Sequence, residues 1–297
     1  MKKARIIRII AIIVAVLCIG FVAFFLIFKM PGRNIADDMQ IAVDTNPTQE
    51  QIDNLPEGAI KDFAALYSIN SDVAGWLNIP NTPVDTVIVQ SQTTTMPNDD
   101  KYLHGTNWQG NYYYYGAVYA DGRVQLKKDS GPTNTIIYGH NMYPIDDQLF
   151  FTRLIDYESF DYYKKAPIIN FSTLYEKATY KIFAIMYVNT DSSDGEVFNY
   201  IANRFVNIMS QETFDEYYNS IMERNLITND VDVKFGDKLL TLSTCENRFL
   251  KTSRLVIFAR KVRDGEDPNV DVSKAAINTN VRMPEAWTTK GYGPLMK

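Results

Sequence analysis

Short apolar runs bounded by turn residues fill the chain between about residues 59 and 262. Their β-branched and aromatic residues predict seven strands, at Val84–Gln90, Gly116–Ala120, Thr135–Tyr138, Ile168–Phe171, Tyr180–Val188, Lys238–Cys245 and Arg254–Val262. About 200 residues are enough to bury one substantial core. The pattern therefore predicts a single domain built as a barrel or a sandwich of seven or eight strands.

The segment from Glu196 to Asn225 has a helical pattern instead. Its apolar residues recur every three or four positions, at Val197, Ile201, Phe205, Ile208, Phe214, Tyr218, Ile221 and Met222. Ser210 is suited to cap the second of two helices, with Glu212 in its first turn. We expect two helices in one long connection, which either cover a face of the sheet or contribute to function.

The N-terminus carries a different kind of apolar run. Ile9 to Phe28 is twenty residues without a charge, and a helix of that length spans a hydrocarbon core of about 30 Å. Four basic residues precede it, and no small-x-small cleavage pattern of a signal peptide follows. The sequence thus predicts a single-pass cell-membrane protein with a cytoplasmic N-terminus and an extracytoplasmic main domain.

These patterns divide the chain into four parts. Residues 1–33 would form the cytoplasmic stub and membrane anchor, and residues 34–58 an extracytoplasmic linker or loosely held helix. Residues 59–262 would form the main domain. Residues 263–297 contain prolines and glycines without a sustained period, which predicts a tail that wraps the surface or is disordered.

Composition excludes several classes of protein. A net charge of -5 disfavours a nucleic-acid binder, and two histidines with two cysteines disfavour a zinc module or a disulfide scaffold. The acidic pairs Asp99-Asp100 and Asp146-Asp147 lack the ligand framework of a calcium loop. We therefore predict no metal site and no cofactor.

One pair of strands brings reactive residues together. Lys238–Cys245 and Arg254–Val262 read as an antiparallel hairpin, in which the thiol of Cys245 would face the guanidinium of Arg254. A nearby cation lowers the pKa of a thiol and stabilises an oxyanion. His140 follows a strand and one glycine, which favours it over His104 as the proton donor and acceptor.

At these residues the sequence resembles the class B sortases. The resemblance rests on Thr241-Leu-Ser-Thr-Cys245 followed nine residues later by Arg254, and on Asn134-Thr-Ile-Ile-Tyr-Gly-His140-Asn-Met142. Further similarity lies in the segment Asn70 to Asn81, in Val89-Gln90, and in Tyr102-Leu-His104 before Gly116-Ala-Val-Tyr. Together these motifs cover about residues 60 to 262 in the order typical of the family.

The resemblance implies a mainly β fold with helices (α+β). It would be a closed eight-stranded sortase β-barrel with N-terminal helices and a long helical insertion before the cysteine strand. The implied enzyme is a membrane-anchored cysteine transpeptidase of the Gram-positive cell surface. It would cleave a Pro-x-Thr-type sorting signal of secreted surface proteins after the threonine, form a thioacyl enzyme, and transfer the protein to an amine of peptidoglycan precursor.

The resemblance also implies roles for individual residues. Cys245 would be the nucleophile, His140 the general acid and base, and Arg254 the group that orients substrate and stabilises the oxyanion. Ser243 and the backbone N–H of Glu246 would contact substrate. Asn107 would also contact substrate, although here Gly105-Thr106 stand between His104 and this asparagine.

Two other functions fit the sequence. A sortase that polymerises pilins through a pilin lysine would share every motif. A non-enzymatic β-rich surface protein would bury Cys245 as a free, unreactive thiol. Papain-like enzymes place the cysteine before the histidine, and caspase-like enzymes need an alternating βαβ pattern, so both are disfavoured.

Overall fold

The computed structural model of the chain describes residues 46–91, 100–143, 151–246, 250–291 and 296. Eight strands form a closed barrel, in the order β1 (Val73–Asn78), β2 (Asp85–Val89), β5 (Tyr119–Ala120), β6 (Asn134–Tyr138), β10 (Leu239–Cys245), β11 (Ser253–Lys261), β8 (Lys177–Asn189) and β7 (Ile168–Thr173). Most neighbours are antiparallel, whereas β2 with β5 and β6 with β10 run parallel. The predicted mainly β fold with a closed eight-stranded barrel is confirmed.

The strand bounds refine the sequence prediction. Outside the barrel, the described residues also form the short strands β3 (Gly105–Thr106), β4 (Tyr112–Tyr113), β9 (Ile227–Thr228) and β12 (Ala276–Ile277). The periodicity missed β1, whose Gly75 interrupts the β-branched pattern. It also made β5 too long.

The central strands are buried on both faces. Leu240 and Leu242 of β10 belong to the cluster that fills the barrel. The alternate residues Val256 and Phe258 of the neighbouring β11 pack outward, against a second cluster that includes Phe214 of the insertion. Because side chains alternate between the faces of a strand, two apolar environments require a near-continuous apolar run.

The helices are short and lie outside the barrel. They are α1 (Gln49–Asp53), α2 (Ala64–Ile69), α3 (Asp100–Leu103), α4 (Phe160–Lys165), α5 (Asn203–Val206), α6 (Gln211–Met222) and α7 (Glu285–Thr289). The pair α5 and α6 lies between the sixth and seventh strands of the barrel in chain order, as predicted. The hydroxyl of Ser210 accepts a hydrogen bond from the Thr213 N–H at 3.2 Å, which confirms the predicted cap.

The predicted membrane localisation requires correction. Among the described residues, no helix is long and apolar enough to cross a bilayer. The segment Ile9 to Phe28, from which the anchor was predicted, lies outside those residues, as do Asp99, Asp146 and Asp147. A single-pass anchor thus finds no support in the structure and is not retained.

Candidate active site

Cys245 and Arg254 face each other at one end of the barrel. They are direct Cα partners in the antiparallel ladder of β10 and β11, as the hairpin pattern predicted. Directly opposed residues project to the same face, with Cβ atoms about 5 Å apart. Cys245 is half-buried and its sulfur is a free thiol. Its environment therefore places a guanidinium beside a thiol that solvent can reach.

Among the described residues, no carboxylate forms an ion pair with the guanidinium of Arg254. Its Nη1 donates to the carbonyl of Ser253 at 2.9 Å. The positive charge is therefore available to an anion that forms at the neighbouring sulfur or at a carbonyl bound there.

His140 reaches the same end of the barrel from the parallel strand. β6 pairs with β10 up to Tyr138 and Ser243, and the Gly139 N–H continues the ladder to the Ser243 carbonyl at 3.2 Å. Gly139 is required because a Cβ there would come within 2.7 Å of the Phe151 ring. The loop that starts at Gly139 thus places the imidazole next to the end of the cysteine strand.

The environment of His140 fixes its tautomer and disfavours its charge. Nε2 lies 2.7 Å from the carbonyl of Leu103, and because a carbonyl only accepts, Nε2 carries the proton. Burial lowers the pKa of His140 below its usual 6.5, and the charges of His104 and Arg254 act in the same direction against the hydrogen bond to Leu103. The rings of His104 and His140 are 5.2 Å apart between centroids.

Two side-chain hydrogen bonds tie the histidine loop to the cysteine strand. The amide of Asn141 donates to the carbonyl of Cys245 at 2.9 Å, and the hydroxyl of Thr244 donates to the carbonyl of Gly139 at 2.8 Å. Sequence reasoning did not single out Asn141, although it follows His140 directly within the quoted motif. Its contact fixes the two chain segments that carry the thiol and the imidazole.

A buried tyrosine from the long insertion also reaches the site. The hydroxyl of Tyr200 lies 2.6 Å from that of Ser243, which was predicted to contact substrate. Burial raises the pKa of Tyr200, so that the phenol stays neutral; the bond to Ser243 and the charge of Arg254 oppose this shift in part. No local pattern predicted this contact, because the two residues are 43 positions apart.

The other predicted contacts are already engaged within the protein. The Glu246 N–H donates to the carbonyl of Ser253 at 3.0 Å, and its side chain is buried. The side-chain oxygen of Asn107 accepts the N–H groups of Gln109 and Asn111, at 3.1 and 2.9 Å, in the turn between β3 and β4. Asn107 has no hydrogen bond to Cys245, His140 or Arg254 in the described part of the chain.

This arrangement is suited to acyl transfer. In the described part of the chain, a thiol, a guanidinium without a carboxylate partner and an imidazole lie at one end of the barrel, at or next to the ends of three neighbouring strands. Nucleophilic attack on a carbonyl requires these three kinds of group, as nucleophile, oxyanion partner and proton carrier.

Comparison with known proteins finds that this chain is similar to sortases. A family model described as the sortase domain matches residues 77–262. Sortase B of Staphylococcus aureus is 28% identical over 200 residues, which cover 67% of this chain and 74% of that protein. Sortase B of Listeria monocytogenes is 27% identical over 232 residues, covering 78% of this chain and 85% of the relative.

Solved structures give the same result. The chain is similar to the Staphylococcus aureus sortase B–substrate complex, with a TM-score of 0.58 and 25% identity over 73% of this chain and 92% of the other. A second structure of Staphylococcus aureus sortase B has a TM-score of 0.60 at 25% identity, and covers 77% of this chain and 97% of its own.

Proposed function

The chain belongs to the class B sortases, which are cysteine transpeptidases, and from this premise we propose the substrates and the residues of its reaction. The donor is a secreted surface protein with a Pro-x-Thr-type sorting signal near its C-terminus. The acceptor is an amine of peptidoglycan precursor. The thiol is Cys245, which is the cysteine of the family motif.

The first half-reaction forms a thioester. The Cys245 thiolate attacks the threonine carbonyl of the signal, and Arg254 stabilises the oxyanion of the tetrahedral intermediate. The imidazolium of His140 then protonates the leaving amine as the peptide bond breaks. Because Nε2–H is held by the Leu103 carbonyl, we assign this proton to Nδ1.

The second half-reaction transfers the acyl group. An acceptor amine attacks the thioester, neutral His140 takes a proton from it, and collapse of the intermediate releases the thiolate and an amide product. The active enzyme needs a charged imidazole beside a thiolate. Since burial lowers the pKa of His140, only a minority of molecules carries this pair of charges near neutral pH, and turnover is slow.

One observation carries the proposal: Cys245 and Arg254 are direct partners in the ladder, and His140 enters from the strand on the other side of β10. The three residues of the family motifs lie at one barrel end, although His140 is more than 100 positions away from the other two in the sequence. Of the two histidines, it is His140 that the parallel strand β6 leads to this end.

The experiment uses the purified full-length protein and a panel of Pro-x-Thr peptides, with intact-mass detection of the acyl adduct. We expect an adduct on the parent and on Cys18→Ala, which is the matched control for the loss of a cysteine. We expect none on Cys245→Ala. Arg254→Ala should slow acylation by about 10²- to 10³-fold, whereas Arg204→Ala, which breaks an exposed ion pair with Glu216, should leave the rate unchanged.

Acceptor specificity is read in the same assay. An amine that mimics the cross-bridge of peptidoglycan should remove the acyl group faster than a lysine-containing pilin-like peptide does. The opposite preference would replace wall anchoring with pilin polymerisation. No adduct with any peptide, together with a Cys245 that is alkylated only after unfolding, would refute the assigned roles.

A further inference from the structure

The C-terminal tail lies along the outside of the barrel and extends over its whole length. We call residues 263–291 the C-terminal strap; they follow the last residue that the family model matches. At one end, Arg263 pairs with Asp237, 2.7 Å away, just before β10 begins. At the other, Lys290 lies 3.6 Å from Asp194, near the end of the barrel that carries Cys245. The strap thus connects the far end of the barrel to the candidate active site.

Backbone pairing and a buried aromatic residue hold the strap in place. Its strand β12 pairs with β9, and the Arg282 N–H donates to the carbonyl of Glu223 at 2.8 Å. Trp287 is 1% exposed, and its ring lies 4.8 Å from that of Tyr187 on β8. Burial of a tryptophan of this size is a large stabilising contribution. The strap is therefore a fixed part of the fold.

The strap contacts one segment of the insertion at three points. We call residues 191–200 the flanking segment. Arg282 pairs with Glu196, and Lys290 approaches Asp194. Gly195 has a φ of +106°, and a Cβ there would come within 2.6 Å of Glu285. The charges and the shape of the strap thus match this segment.

The flanking segment in turn contacts both strands of the candidate site. A carboxylate oxygen of Asp194 accepts a hydrogen bond of 2.6 Å from the hydroxyl of Thr252, which is two residues before Arg254. At its other end, the hydroxyl of Tyr200 bonds with Ser243, two residues before Cys245. One segment therefore connects the approach to the guanidinium with the strand of the thiol.

We propose that the C-terminal strap is a positioning element of the transpeptidase. Through Arg282 and Lys290 it holds the flanking segment against β10 and against the start of β11. The flanking segment then fixes the relative position of Cys245 and Arg254 through Tyr200 and Asp194. Arg282 is the main positioning residue, and it acts through the segment without touching substrate. This inference rests on the proposed roles of Cys245 and Arg254.

Charge reversal at Arg282 separates positioning from folding. Arg282 is 51% exposed, and Glu196 and Glu223, which it contacts, are 62% and 55% exposed. Exposed ion pairs of this kind contribute about 0–1 kcal/mol to stability, so Arg282→Glu should remain folded. In this variant the new carboxylate at position 282 would repel the carboxylate of Glu196, and this repulsion would move the strap away from the flanking segment. The matched control is Lys274→Glu, which reverses a charge on the same strap in an ion pair with Asp230.

The single-turnover rate of acyl-adduct formation, KM for the peptide and the unfolding temperature are measured for each variant. We expect Arg282→Glu to lower the acylation rate about tenfold, equivalent to about 1.4 kcal/mol in the barrier, with KM changed less than about twofold. Arg282→Lys should restore most of the rate, and Lys274→Glu should match the parent. Equal rates for Arg282→Glu and the parent, or equal losses in both charge reversals, would overturn the proposal.

Alkylation of Cys245 by iodoacetamide keeps this test independent of the peptide substrate. If the parent forms no acyl adduct, the proposed function fails, while the alkylation rates still report on the strap. An altered alkylation rate in Arg282→Glu, with a parental rate in Lys274→Glu, supports the positioning role. Identical alkylation rates in all variants contradict it.

Discussion

At the residue scale, the protonation state of His140 governs the expected pH dependence of the reaction rate. The protonated form of this buried imidazole is disfavoured by burial, and in addition by the positive charges of His104 and Arg254. When the thiol–imidazolium pair loses its first proton, the singly protonated state of the pair forms. The active thiolate–imidazolium form is one of the two forms of this state. The acid limb of the rate profile therefore reports mainly on His140 and should lie below pH 6.5.

Replacement of His104 tests whether the acid limb of the rate profile reports on His140. His104→Gln removes a neighbour whose charge lowers the pKa of His140, so this pKa should rise and the acid limb of kcat/KM should move to higher pH. The profile is measured between about pH 4.5 and 9. Tyr114→Phe is the control, because the Tyr114 ring also lies against His104, at 6.0 Å, but carries no positive charge. An acid limb that stays in place in His104→Gln would contradict the assignment.

Residue-scale predictions from sequence succeeded where the chemistry was local to a strand. Two strand patterns and the eight-residue connection between them correctly predicted that Cys245 faces Arg254. This was possible because the register of an antiparallel pair fixes which residues are partners. The contact of Tyr200 with Ser243 had no such local signal.

At the scale of elements, the parallel pairing of β6 with β10 places the imidazole of His140 near the strand end that carries the thiol of Cys245. No sequence pattern predicted this pairing, because parallel neighbours are separated by a long crossover, here one of about 100 residues. The loop after β6 is then fastened by Asn141, whose amide donates to the carbonyl of Cys245.

Loss of the hydrogen bonds of Asn141 should lower the rate as well as the stability of the fold. Asn141→Ala removes one hydrogen bond to Cys245 and one to the Tyr143 N–H, at a cost of about 1 kcal/mol each. We expect kcat to fall about fivefold as the histidine loop and the cysteine strand lose their fixed distance. Steady-state kinetics and thermal unfolding are compared with Asn170→Ala, which removes a hydrogen bond to Thr179 on β7 and β8. Equal kcat values in the two variants would argue against a role for Asn141.

At the scale of the whole molecule, a network of ion pairs lies at the end of the barrel opposite Cys245. The guanidinium of Arg260 is 1% exposed and pairs with Glu266 of the C-terminal strap, which also accepts from Lys181 at 2.7 Å. Arg260 and, next, Lys181 hold the pKa of Glu266 well below its usual 4.5. A depressed carboxyl pKa contributes stability that is present above pH 4.5 and is lost as the pH falls through the folded value.

Removal of the carboxylate should therefore destabilise the fold mainly at neutral pH. Glu266→Gln leaves the buried guanidinium with weaker partners, and breaking a buried pair costs about 3 kcal/mol or more. The difference from the parent should shrink as the pH falls below 4.5, because the carboxyl of the unfolded parent then takes up a proton while the folded parent still holds the carboxylate charged. Urea unfolding at pH 7 and at lower pH measures both effects.

The control for this variant is Glu57→Gln, since Glu57 is 98% exposed and reaches Lys128 only at 4.0 Å. We expect less than about 1 kcal/mol for this change. A destabilisation by Glu266→Gln that is independent of pH would indicate lost packing in place of lost charge.

The sequence by itself determined the mainly β class, most strand positions, the capped helix at Ser210, and the strand pair that joins Cys245 to Arg254. These features depend on periodicity, on capping chemistry and on short loops, all of which act over a few residues. The family motifs added the closed barrel.

Tertiary structure alone decided the parallel contact of β6 with β10, the hydrogen bonds of Asn141 and Tyr200, and the course of the C-terminal strap. Trp287 illustrates why: its segment has no sustained period, yet its ring is buried against Tyr187, 100 residues earlier in the chain. Contacts between distant segments depend on which surfaces the closed barrel leaves uncovered. That arrangement exists only after the whole core has formed, so no local pattern encodes it.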